Sequence, residues 1–120
     1  MARPRRAAAL LLLGLLGACG GGGGPVRTVT VTGTEMKFDP AELTLAPGRY
    51  RFHFVNGGTT YHDLGIYRDG RALSIREAGA GQSADLDVVE LSAGTYTIEC
   101  REPGHLQAGM RGTIMVRQTA

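Results

Sequence analysis

Seven residues, Gly48-Arg-Tyr-Arg-Phe-His-Phe54, constrain the fold of this 120-residue chain more than any others. Tyr50, Phe52 and Phe54 share one parity, and Arg49, Arg51 and His53 share the other. Successive side chains of a strand point to opposite faces of its sheet, so the segment is a half-buried strand with an aromatic inner face. His53 falls on the outer face and is set aside as a metal ligand.

The same period recurs along most of the chain. Val29 and Val31 alternate with polar residues, as do Met36 and Phe38, and the parity slips at Gly33, where a bulge or a sheet crossing is expected. Asp39-Pro40 interrupts, Leu43-Thr-Leu45 resumes, and Pro47-Gly48 turns the chain into the aromatic strand. After Asn56-Gly57, Leu64 and Ile66 point inward until the turn at Arg68-Asp-Gly70. Arg71 to Gln82 reads as a strand followed by a loop, with a short helical turn as the alternative. Ala84, Leu86 and Val88 alternate again; Tyr96, Ile98 and Cys100 share one inward face, and Met110, Ile114 and Val116 another. About seven or eight short strands with regular turns and no long helix describe an all-β, Greek-key sandwich. Periodicity alone fits an immunoglobulin-like domain equally well.

Chemistry concentrates in Cys100-Arg-Glu-Pro-Gly-His105-Leu-Gln-Ala-Gly-Met110. Thiolate and neutral imidazole suit copper in both oxidation states, and a His₂Cys plane with a weak methionine is the electron-transfer form of such a site. Cys100 is the last inward residue of one strand and Met110 the first of the next, so both sulfurs face one end of the core. The second imidazole is expected from His62, in the polar loop Asn56-Gly-Gly-Thr-Thr-Tyr-His62-Asp63.

A distant histidine followed by Cys-x4-His-x4-Met resembles the cupredoxins, the small type 1 or blue copper proteins of the plastocyanin, azurin, auracyanin and rusticyanin kind. The loop spacing is most similar to that of the last two. The resemblance runs from about Glu35 to the C-terminus and includes Met36-Lys-Phe38-Asp-Pro40, Leu43-Thr-Leu45-Ala-Pro-Gly48, Pro103-Gly104-His105 and Gly109-Met110-Arg-Gly112. It implies one copper ion in a plane of His62, Cys100 and His105, with Met110 as the long axial ligand and the Tyr61 carbonyl as a weak donor opposite. It also implies electron exchange through an exposed edge of His105. Asp63 and Arg101 stand where the family more often carries asparagine and a small hydroxyl residue. They are expected to pair across the two ligand loops and to replace a hydrogen bond that orients the ligands.

Residues 1–18 begin with arginines, continue through Ala7 to Leu16 and end at Gly17-Ala18, which is the pattern of an export signal. Leu16-Gly-Ala-Cys19 resembles a lipobox, so Cys19 is the expected lipidation site, with a plain secretory signal cut near Ala18 as the alternative. The expected organisation is a lipoprotein signal over 1–18, a lipidated cysteine and glycine-rich tether over 19–25, and a cupredoxin-like domain over 26–120. Cys19 and Cys100 are the only cysteines, and each has a role better than a mutual disulfide. Taking the leader's Arg3, Arg5 and Arg6 from thirteen basic residues leaves ten against eleven acidic, which gives a nucleic-acid partner no support.

These features predict a monomeric, lipid-anchored, non-enzymatic electron carrier at the periplasmic or outer face of a cell envelope. Its expected partners are redox proteins such as a cytochrome, oxidase or reductase. The competing reading is a copper-binding or storage lipoprotein without an electron-transfer role.

Overall fold

The computed structural model describes residues 24–118. The expected signal over 1–18, the expected lipidation site Cys19 and residues 20–23 of the expected tether lie outside the described residues. The elements are β1 (Val26–Thr34), β2 (Lys37–Asp39), β3 (Glu42–Leu45), β4 (Gly48–Asn56), β5 (His62–Arg68), β6 (Arg71–Ala78), β7 (Ser83–Asp85), β8 (Val89–Leu91), β9 (Gly94–Glu99) and β10 (Arg111–Val116). Among the described residues there is no helix long and apolar enough to cross a membrane.

The strands form two five-stranded sheets. One runs β2-β1-β4-β7, with β8 also paired to β4; the other runs β3-β10-β9-β5-β6. Parallel pairing joins β1 to β4 and β3 to β10, and the remaining pairs are antiparallel. Tyr50, Phe52 and Phe54 point into the space between the sheets and meet Leu64, Ile66, Ile98, Ile114 and Val116 there. Full burial of each large apolar side chain contributes about 1.5–3 kcal/mol. His53 lies on the opposite face of β4, where Nδ1 sits 2.7 Å from Asp85 Oδ1 on the neighbouring β7.

Ten strands replace the expected seven or eight because two runs divide. At Asp39-Pro40 the chain leaves the first sheet, so β2 stays hairpinned to β1 while β3 crosses to β10. After Ala84 and Leu86 the alternation flips, and Val89 and Leu91 are buried in place of Val88. The Leu86 amide donates to the Phe52 carbonyl at 2.9 Å, which anchors the flip against β4.

The expected slip at Gly33 also moves. Gly33 keeps the inward parity of Val29 and Val31, and the register Thr34↔Lys37 places a two-residue turn at Glu35-Met36. Met36 adopts φ 62° and is 36% exposed, so it is a turn residue and not part of the core. The strand expected from Arg71 onward forms over Arg71–Ala78, without the helical turn kept as the alternative, and its Leu73 and Ile75 face outward.

Asn56 ends β4 and ties two loops at the site end of the sandwich. Its buried side-chain amide donates to the Thr60 and Ala78 carbonyls at 2.8 Å each, and its Oδ1 accepts from the Gly58 amide at 2.9 Å. Replacing Asn56 by Ala strands these partners, and a buried polar group left unpaired costs about 1–3 kcal/mol. Urea unfolding of Asn56→Ala is therefore expected to show a stability loss of about 1–3 kcal/mol with the strand content retained.

Candidate metal centre

Three strand ends meet at one end of the sandwich. His62 opens β5, Cys100 follows β9, and Met110 precedes β10. Arg111 pairs with Glu99, so the chain on either side of the loop lies in adjacent register, and the Cys100 amide donates to the Met110 carbonyl at 3.1 Å. Within the loop, the His105 amide donates to Glu102 at 3.0 Å and the Met110 amide to His105 at 3.0 Å. Gly104 and Gly109 adopt φ 84° and φ 101°, a region that favours glycine, and so allow the two reversals that turn His105 back toward Cys100.

Local structure thus brings together the side chains that the ligand pattern singles out. His62 Nδ1 and His105 Nδ1 are 3.1 Å apart, and Cys100 Sγ lies 3.5 Å from His105 Nδ1 and 3.9 Å from His62 Nδ1. The three donor atoms all lie within 4.8 Å of one another. His62, Cys100 and Met110 are fully buried, whereas His105 is partly exposed. One soft sulfur and two imidazole nitrogens converging from three directions make a donor set that fits copper. Met110 carries an uncharged thioether, is fully buried, and is joined to Cys100 and His105 through main-chain hydrogen bonds. The Tyr61 side chain is exposed, and its carbonyl accepts a 3.5 Å hydrogen bond from Thr60 Oγ1.

Asp63 and Arg101 are joined, but by a different bond from the expected one. Asp63 Oδ1 accepts from the Arg101 main-chain amide at 2.9 Å. The Arg101 guanidinium instead binds Glu99 at 2.8 Å and lies 4.0 Å over the Tyr67 ring. The Asp63 amide in turn donates to Cys100 Sγ at 3.4 Å. Burial pushes the Asp63 carboxyl up, and the Arg101 amide opposes that shift. Burial likewise pushes the Cys100 thiol up against the pull of the Asp63 amide. The neighbouring Glu77 carboxyl is the leading cause that raises Glu102 to about 7, with burial adding to the shift.

Three residues at the site escape sequence reasoning. Glu35 Oε1 lies 3.4 Å from His62 Nε2 and accepts the Thr59 amide at 2.6 Å, which leads the causes holding its carboxyl down to about 2. At Gly58 an added Cβ would stand 2.9 Å from His62 Nε2, and at Gly33 one would stand 3.1 Å from Met110 Cε. Only the parity irregularity near Gly33 hinted at any of these.

The Cupredoxin-like domain family matches residues 7–116. The chain belongs to this family. The Copper-resistant cuproprotein CopI of Rubrivivax gelatinosus is 32% identical to this cupredoxin over 111 residues, covering 76% of the chain and 67% of that protein. Among solved structures, auracyanin B superposes with a TM-score of 0.68 at 24% identity, covering 77% of this chain and 89% of that one. Reduced auracyanin of Roseiflexus castenholzii superposes with a TM-score of 0.70 at 21% identity, covering 79% and 100% respectively. The immunoglobulin-like alternative left open by periodicity is thereby removed.

The buried Cys100 thiol is expected to react with an aromatic disulfide reagent on the order of 100-fold more slowly in the native, metal-free cupredoxin than in urea-unfolded chain, because attack requires local opening. Stopped-flow absorbance checks this; equal rates would mean the loop is open.

Proposed function

We propose that this cupredoxin binds one copper ion through His62, Cys100, His105 and Met110 and carries single electrons between redox proteins. The observation that carries the reading is the convergence of His62 Nδ1, His105 Nδ1 and Cys100 Sγ within 4.8 Å, with Met110 buried and bonded through its main chain to Cys100 and His105. Copper, when bound, supplies the one-electron couple. The chain supplies a cage that needs little movement: Cys100, His105 and Met110 are joined through main-chain hydrogen bonds, and the Asp63 amide supports the sulfur. The Tyr61 carbonyl is the proposed further, weak donor. His105 is the partly exposed member of the donor set, between exposed Gly104 and Ala108, and it forms the proposed electron port. A small contact around one such edge suits rapid release of a partner.

We read the chain as a carrier and not as an enzyme, because the histidines leave none for a second, catalytic copper centre: His53 faces Asp85, and the other two belong to the proposed site. The proposed arrangement is a signal over 1–18, lipid on Cys19, a tether over 19–25 and a domain over 26–120. It places a monomer at the periplasmic or outer envelope surface, near a cytochrome, oxidase or reductase. Cys19→Ser is expected to move the protein from the membrane fraction to the soluble fraction of expressing cells, read by immunoblot. Continued membrane retention would count against the lipid.

A second reading, copper as cargo in a binding or storage protein, draws support from the name of the CopI relative. Exposed Met36 and Met115 do not favour it, since one lies in the β1–β2 turn and the other on the outer face of β10. Adding copper(II) to the purified protein separates the two. A strong visible thiolate band with reversible one-electron voltammetry supports the carrier; a colourless tight complex supports cargo. Cys100→Ser is expected to abolish the band, and Met110→Leu to keep copper and raise the reduction potential. Full retention of the band in Cys100→Ser would refute the site.

A further inference from the structure

We infer that Glu35 is a positioning residue for His62: its carboxylate accepts the hydrogen bond from Nε2–H, holds Nδ1 as the free donor facing Cys100 and His105, and favours the oxidised metal. This rests on the copper reading above.

The ring orientation leads the argument. His62 Nδ1 points at His105 Nδ1 and Cys100 Sγ, so Nε2 is turned away from the donor cluster, and Glu35 Oε1 lies 3.4 Å from it. A neutral imidazole carries one proton, and a ring that offers the Nδ1 lone pair to a metal carries it on Nε2 as a donor. His62 is fully buried, so that donor needs an acceptor within the protein. Glu35 Oε1 is the acceptor in place.

The carboxylate is itself held. Glu35 Oε1 accepts the Thr59 amide at 2.6 Å and faces Thr59 Oγ1 at 3.2 Å, which ties the β1–β2 turn to the β4–β5 loop. Gly58 makes the approach feasible, because a Cβ there would lie 2.5 Å from Glu35 Oε1 and 2.9 Å from His62 Nε2. The turn, the bare glycine and the Thr59 amide together deliver a full negative charge to the back of one ligand.

A carboxylate behind a ligating imidazole fixes its tautomer and raises its basicity, and loss of such a partner costs about 10–100-fold in metal affinity. The charge acts more strongly on copper(II) than on copper(I). The chosen variant is Glu35→Gln, which retains an oxygen for Thr59 and so spares the loop. It is expected to keep the visible band and the unfolding temperature while the copper(II)-to-copper(I) affinity ratio falls about tenfold. That ratio corresponds to a potential rise of about 59 mV for one electron. An unchanged potential with the band retained overturns the role.

A second measurement separates this outcome from failure of the copper reading. Nitrogen NMR of the metal-free protein is expected to show His62 as the Nε2–H tautomer in the wild type and as a mixture in Glu35→Ala. An Nδ1–H or mixed tautomer in the wild type overturns the positioning role whether or not copper binds. If the wild type gives no thiolate band yet shows the Nε2–H tautomer, the copper reading falls and the positioning contact stands.

Discussion

The hydrogen bond from the Cys100 amide to the Met110 carbonyl closes the loop on which the site depends. It extends the β9–β10 ladder past Arg111↔Glu99, so the two sulfur residues leave adjacent strands side by side and both point into the core. Ordering each residue of a loop costs about 1–2 kcal/mol of backbone entropy. Here that cost is offset within the loop, where the amides of His105, Ala108, Gly109 and Met110 all find carbonyls at 3.0–3.1 Å. The donors are therefore held by the folded chain, which is the condition for a metal site that changes little between oxidation states.

The charged residues around the loop answer one another more than they answer the donors. Arg101 sends its main chain to Asp63 and its side chain to Glu99 and Tyr67, and the Glu77 carboxyl pushes Glu102 up. Asp63 reaches the candidate donor Cys100 through its amide, which donates to Cys100 Sγ. Its carboxylate stiffens the junction of β5 and β9, because it grips the amide after Cys100. The Tyr67 ring packs over Gly65, where a side chain would collide with it, and so covers the outer face of this junction.

Both sheets hold the centre. β5, β9 and β10 of one sheet carry the donors, while β1, β2 and β4 of the other close the back through Glu35, Gly33 and the Asn56 loop. Met110 packs toward Gly33 and Phe54, and His62 backs onto Glu35 and Gly58. The end of the sandwich is thus a box whose walls come from segments distant in the chain.

The sequence by itself determined most of the strands and the sandwich class and pointed to the proposed donor set, because strand parity and the Cys100–His105–Met110 spacing are short-range. Side-chain parity follows from a period of two, which any segment carries whatever its neighbours do. Cys100, His105 and Met110 are set by one loop, and His62 by the strand it opens. Tertiary structure decided what spacing cannot reach. It turned Met36 outward, since pairing with β1 placed the reversal at Glu35-Met36, and it flipped the parity after Leu86 when that amide met Phe52. It gave Arg101 to Glu99 and Tyr67, because the Asp63 carboxylate was already met by a main-chain amide that every residue type except proline provides. It also brought Glu35 to His62, 27 positions away, by a crossing between sheets that no local pattern encodes.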